Sequence, residues 1–126
     1  MITNYPIGDF LIRVKNAALA EKRDVLVDNN KLILEVAKIL KKEGYLESLN
    51  EKEKVLNVRI ALKSKKPVIS DIKLVSKPGL RIYMKADELL QKKGPSQFIV
   101  STTQGILLSK EAIKKRRGGE VIAEIL

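Results

Sequence analysis

The residues best equipped to recognise a partner chemically lie together in Ser101-Thr102-Thr103-Gln104-Gly105, directly after the apolar run Phe98-Ile99-Val100. Adjacent hydroxyls place short groups that both donate and accept hydrogen bonds at the end of a strand. Such groups suit the shallow minor groove of an RNA helix, where 2′-hydroxyls and base edges are displayed. Gly105 permits a turn with positive φ and lets another backbone come close. An ordinary hydroxyl-rich turn has the same composition, so the segment by itself leaves both readings open.

The second set of candidates is basic. Lys63/Lys65/Lys66, Lys92/Lys93 and Lys114/Lys115/Arg116/Arg117 are clustered cations in a chain with 25 Lys and Arg against 15 Asp and Glu, a formal net charge of +10. Each cluster alone is an ordinary solvated loop or helix end. Together they favour a polyanionic partner, with Lys114, Lys115 and Arg117 as phosphate contacts, though charge does not separate RNA from DNA.

Catalysis is poorly supplied. The 126 residues contain no His and no Cys, which removes the usual general base, the thiol nucleophile, disulfides and zinc ligation. No glycine-rich phosphate loop is present. Glu47, Asp71, Asp87 and Glu120 are the carboxylates that can pair in principle, but on a basic chain such groups usually bridge to Lys or Arg. The expectation is a protein that is not an enzyme, with no cofactor and no metal. There is no apolar run of about 18 residues and no secretory signal in Met1 to Pro6, so a cytoplasmic, reduced location follows.

These candidates must be held by an aliphatic core, because 44% of residues are hydrophobic but only 4% are aromatic. Pro6 suits the first turn of a helix, and Ile7, Phe10, Leu11, Val14 and Ala18 recur at helical spacing, predicting a helix over 6–20. Val25 to Val27 reads as a short strand, closed by Asp28-Asn29-Asn30, which suits turns and caps. A second helix follows, with Ile33, Val36, Ala37 and Leu40 on one face, Lys41 and Lys42 in its last turn and Gly44 ending it. Strands are expected at 45–49 and 55–62, the latter with Leu56, Val58, Ile60 and Leu62 on one face and Asn57 and Arg59 on the other.

Lys63 to Pro67 reads as a linker, dividing an αβαββ-like module at 1–66 from a β-rich module at 67–126. In the second module Val68 to Val75 alternates, and Lys77-Pro78-Gly79 turns. Leu80, Ile82 and Met84 share one side of the next strand, and Asp87 caps a helical turn through Leu90. Gly94-Pro95 breaks the chain, Ser109 caps a last helix, and Gly118-Gly119 lead into a strand with Val121, Ala123 and Ile125 inward. The fold class is α/β in content, of the α+β kind, with the back half mainly antiparallel.

Several segments carry a more specific signal. Val75-Ser76-Lys77-Pro78-Gly79-Leu80-Arg81-Ile82-Tyr83, Val100-Ser101-Thr102-Thr103-Gln104-Gly105-Ile106 and Gly118-Gly119-Glu120-Val121 resemble motifs of the bacterial S-eight family of small-subunit ribosomal proteins. Pro6 with Asp9, Arg13 and Asn16 resembles that family's opening helix, and Lys41-Lys42-Glu43-Gly44-Tyr45 its second helix end. The order and spacing match across essentially the whole chain. The resemblance implies a primary binder of the central domain of small-subunit ribosomal RNA that supports assembly. It also implies contacts with neighbouring ribosomal proteins and, in some bacteria, repression of its own operon's messenger RNA.

By the same resemblance, Ser101, Thr102, Thr103 and Gly105 form the loop that enters the RNA, and Glu120 sits beside it. Tyr83 matches an aromatic near that surface, and Arg13, Asn16, Lys31 and Arg81 match backbone contacts. Four departures stand out. Tyr5 replaces a frequent capping Asp, Thr103 keeps the hydroxyl of a frequent Ser, Gln104 replaces a frequently basic residue, and the segment 91–97 is somewhat short. Two other readings stay open at this point, a free RNA-binding translational repressor and a charged, non-catalytic interaction module. Sedimentation with small subunits at physiological salt separates them.

Overall fold

A computed structural model describes residues 6–92, 94 and 96–126. Tyr5, Lys93 and Pro95, and the expectations resting on them, lie outside the described residues. The chain divides into two compact units, Met1–Ser70 and Asp71–Leu126.

In the first unit α1 (Pro6–Leu19), β1 (Asp24–Asp28) and α2 (Lys31–Lys42) precede β2 (Leu46–Glu51) and β3 (Val55–Ile60). The strands form an antiparallel sheet in the order β1-β3-β2. Phe10, Leu11 and Val14 of α1, Val36, Ala37 and Leu40 of α2, and Leu56, Val58 and Ile60 of β3 are almost wholly buried. Each of the larger side chains contributes roughly 1.5–3 kcal/mol on leaving water, so this aliphatic set carries the unit. The Asn30 side chain accepts from the Leu32 N–H at 2.9 Å and caps α2. Gly44, at φ 87, closes it, with the Tyr45 N–H reaching the Leu40 carbonyl at 2.9 Å.

Two expectations fail here for one reason. Leu62 does not extend the inward face of β3 but is 39% exposed. Beyond Ile60 the chain leaves the sheet for a hairpin of β4 (Leu62–Lys63) and β5 (Lys66–Pro67). Ser64 and Lys65 turn it with φ of 53 and 67, the left-handed pair a two-residue hairpin needs. The segment read as a linker is therefore structured.

The second unit is built around β10 (Gly119–Ile125). β6 (Ile72–Leu74) and β7 (Tyr83–Met84) pair with different parts of it, and β8 (Gln97–Thr102) runs along it, with β9 (Gly105–Leu108) outside β8. All these pairings are antiparallel. Two short helices, α3 (Ala86–Gln91) and α4 (Ser109–Lys114), complete the unit. Leu89, Phe98, Val100, Ala112 and Val121 form its buried cluster, with Val75, Met84, Leu107 and Ile113 packed around them.

Val121, Ala123 and Ile125 are fully buried, but so nearly is Ile122, because the register with β8 shifts between Val121 and Ala123. Three local expectations are corrected. Leu80 is 61% exposed, since it closes the Pro78-Gly79 turn, in which Lys77 and Leu80 exchange backbone hydrogen bonds of 2.9 Å. Asp87 lies inside the first turn of α3, whose start is held instead by Glu88 accepting from the Lys85 N–H at 3.1 Å. Ser109 does not cap α4; its buried hydroxyl accepts from the Phe98 N–H at 3.1 Å.

Ser76 is the internal pin of this unit. Fully buried, it donates to the Val121 carbonyl at 2.7 Å and accepts from the Ile82 N–H at 2.9 Å. It thereby ties the strand carrying Tyr83 to β10. Replacing Ser76 with Ala leaves the Ile82 N–H without its acceptor and is expected to cost about 1–3 kcal/mol, read as a lowered melting midpoint.

Candidate RNA interface

The C-terminal unit brings the expected recognition residues into one row across its sheet. Tyr83 of β7 stands opposite Glu120 of β10, and Glu120 opposite Ser101 of β8. Directly opposed residues share a sheet face, so these side chains line up side by side. Tyr83 is 67% exposed, unusual for one of so few aromatics. The Arg81 guanidinium donates to Glu120 Oε2 at 3.1 Å, both partly exposed. Such a pair adds little stability, but it orients the carboxylate and keeps positive charge beside it.

The hydroxyl segment is not a loose loop. Thr102 and Gly105 are paired, so Thr103 and Gln104 alone make the bend between β8 and β9. Gly105 follows with φ 107, the left-handed backbone expected for it. The three hydroxyls then divide. Thr102 Oγ1 donates to the Gly105 carbonyl at 2.8 Å and accepts from the Gln104 N–H at 3.1 Å, so it builds the turn. Among the described residues, the hydroxyls of Ser101 and Thr103 take no internal partner, and Thr103 is exposed. The sequence shows three equivalent hydroxyls; only the fold separates one scaffold from two that face outward.

Two glycines decide whether the row exists. A Cβ on Gly119 would fall on the Ser101 carbonyl, with Thr102 Cα 3.3 Å away. One on Gly118 would strike the Met84 carbonyl and lie 2.7 Å from Lys85 Cα. Only glycine lets β10 enter between its neighbours at this point.

Lys114 ends α4, and Lys115, Arg116 and Arg117 follow, all exposed, leading directly into Gly118. Among the described residues no carboxylate pairs with any of them. In the first unit, Arg13 and Asn16 lie together on α1. With Lys22, Asp24 and Leu26 they line an open cleft of about 450 Å³, and Arg13 also donates to the Leu26 carbonyl at 3.3 Å. Lys22 was not expected from sequence, since nothing in its spacing links it to Arg13. A second cleft that Arg13 also lines holds Asp9 and Asp28, which would repel a phosphate. Lys31 stands exposed in the first turn of α2, where a cation opposes the helix dipole and so does not serve the helix.

Three of the four carboxylates considered for catalysis are otherwise engaged. Glu47 bridges to Arg23 at 3.0 Å and to Arg59 at 3.8 Å, Glu120 holds Arg81 at 3.1 Å, and Asp71 accepts from the Ile72 N–H at 2.8 Å. Among the described residues no three metal-ligating side chains gather, and no helix is long and apolar enough to cross a membrane.

The model of the family described as Ribosomal protein S8 matches residues 5–126. The chain belongs to that family. It is therefore a structural protein rather than an enzyme, and the resemblance carried by the motifs around Pro78, Ser101 and Gly118 stands. Its relatives include small ribosomal subunit proteins uS8 from Persephonella marina, 43% identical, and from Enterococcus faecalis, 39% identical, each alignment covering 99% of both chains. The protein of the same name from Nitratidesulfovibrio vulgaris is 38% identical over 99% of both chains. Within this S8 chain the row of Tyr83, Glu120 and Ser101 spans three of the matched motifs, so strands distant in sequence make one surface.

Gly119→Ala tests that geometry. The added methyl must push Ser101 away from Glu120. The expected result is faster amide exchange at Ser101, Thr102 and Glu120 and a loss of about 1–3 kcal/mol in stability, as for overpacking of a tight site.

Proposed function

We propose that this S8 protein, a structural constituent of the small ribosomal subunit, binds the central domain of that subunit's RNA directly and early, and so supports its assembly. One observation carries the reading: at the end of a rigid hairpin, Ser101 and Thr103 keep hydroxyls with no internal partner among the described residues, beside a carboxylate oriented by Arg81. Hydroxyls and a carboxylate read an irregular RNA helix through 2′-hydroxyls and base edges. Glu120 accepts from a base amino group or a 2′-hydroxyl, Tyr83 lies against a sugar or base, and Gly105 allows close approach.

Around this row, charge supplies affinity without sequence preference. Lys114, Lys115 and Arg117 contact phosphates at one end, and Arg81 adds positive charge beside Glu120. Arg13, Asn16 and Lys31 in the N-terminal unit hold backbone elsewhere on the RNA. Neighbouring small-subunit proteins complete the assembly, and an operon messenger that presents the same RNA shape occupies the same row.

The hydroxyls and the cations predict different signatures. Ser101→Ala with Thr103→Ala removes hydrogen bonds to buried RNA groups, each worth about 1–3 kcal/mol. Affinity for the central-domain fragment should fall roughly ten- to a thousandfold, while binding to a scrambled duplex and the melting midpoint hold. Thr102→Ala should instead lower the melting midpoint, because it undoes the turn. Equal losses on both RNAs for the Ser101/Thr103 pair would sink the recognition role.

Neutralising Lys114, Lys115 and Arg117 should weaken binding to all RNAs alike. It should also flatten the plot of log affinity against log salt by about 0.7–0.9 for each phosphate that is no longer neutralised. An unchanged slope in a salt titration would place this cluster in solvent.

A further inference from the structure

Arg116 occupies a conformation that its residue type does not favour. α4 ends with the Arg117 N–H donating to the Ala112 carbonyl at 2.8 Å and the Arg116 N–H to the Ile113 carbonyl at 3.0 Å. That closure demands a left-handed residue, normally glycine, and Arg116 supplies it with φ 55. α1 closes in the same way on Glu21, φ 59, so the backbone alone marks no site.

What separates Arg116 is its position. It lines an open groove of about 900 Å³ with Tyr83, Lys85, Leu90, Gly118 and Gly119. The groove adjoins the recognition row, since Tyr83 is part of the row and Gly119 directly precedes Glu120 on β10. Asp87 and Glu88 also line it against Lys85 and Arg116, so the groove is formally neutral and attraction for an anion is local to its two cations. Among the described residues no carboxylate neutralises the guanidinium, which presents a planar fork suited to two phosphate oxygens.

We propose that Arg116 grips a phosphodiester of the RNA strand where that strand passes from the hydroxyl row into this groove, and that its left-handed backbone is strain retained for the contact. The proposal rests on the RNA-binding reading above. Glycine at 116 would make the more stable protein and the weaker binder.

The test uses the full chain and the central-domain RNA fragment, with Arg116→Gly, Arg116→Asn and Arg116→Lys, and Glu21→Gly as a control for strain relief. Arg116→Gly should melt roughly 2–8 °C higher, bind about tenfold more weakly and lose about 0.7–0.9 from the salt slope. Arg116→Asn, uncharged but at ease in the left-handed region, should lose affinity equally, and Arg116→Lys should keep most of the slope. Glu21→Gly should gain stability with affinity unchanged.

Wild-type affinity and slope in both Arg116→Gly and Arg116→Asn would overturn the contact. Weaker binding in the glycine variant alone would overturn it too, by tracing the effect to backbone freedom. A lower melting midpoint for Arg116→Gly would overturn the strain. Failure of the wild-type chain to prefer the fragment over a scrambled duplex would instead overturn the underlying RNA-binding reading, which the variants presuppose.

Discussion

The C-terminal unit depends on how closely β10 lies against its neighbours. The strand enters the sheet at Gly119, where any side chain would collide with the Ser101 backbone, and one residue earlier Gly118 passes equally close to Met84 and Lys85. From that entry the placement of the row follows. Glu120 is placed opposite both Tyr83 and Ser101, Val121 turns into the aliphatic cluster, and the Val121 carbonyl accepts the buried Ser76 hydroxyl. A polar row thus stands on the face opposite a dry core, one residue apart along the same strand. The row is supported by backbone pairing and a buried hydrogen bond more than by the weak surface pair between Arg81 and Glu120.

In the proposed reading, this arrangement would also separate affinity from selectivity. Cations such as Lys114, Lys115 and Arg117 sit on a helix end, exposed, where long side chains could adapt to phosphates and salt would weaken the contact. Ser101 and Thr103 sit on a paired strand end and a two-residue bend, where short side chains have little freedom to lose. A short side chain on fixed backbone discriminates by geometry; a long one on a helix end attracts without discriminating. The absence of His and Cys, and the scarcity of aromatics, fit such a surface. It needs placement, not reactivity.

Much of this was legible in the sequence, and the exceptions share a cause. Period and alternation located Phe10, Leu11 and Val14 on one helix face and Leu56, Val58 and Ile60 on one strand face. Composition and motif order pointed to the hydroxyl segment and to Glu120. Reading failed where the deciding partner lies far along the chain. Ser109 precedes a helix and so reads as its cap, yet its partner is the Phe98 N–H on β8. Leu62 and Leu80 continue alternating patterns, but the hairpin at Ser64-Lys65 and the turn at Pro78-Gly79 end the strands that would have buried them. Ser76 gave no local sign of being buried, because both its partners, at Val121 and Ile82, become visible only once the sheet is assembled.

The same limit applies inside the hydroxyl segment and explains why motif and site are not identical. Ser101, Thr102 and Thr103 are chemically near-equivalent in the sequence, so any reading by composition assigns them one role. The bend at Thr103-Gln104 breaks the equivalence, because a turn needs a side-chain acceptor for the Gln104 N–H and Thr102 is the residue in reach. Once Thr102 is committed to the turn, Ser101 faces the row with Glu120 and Thr103 stands at the tip. In the proposed reading, recognition would work from two points held apart by a third residue that builds the turn, and the spacing between them is set by that turn. A substitution that kept every hydroxyl but changed the bend would preserve the composition of the site and lose its geometry.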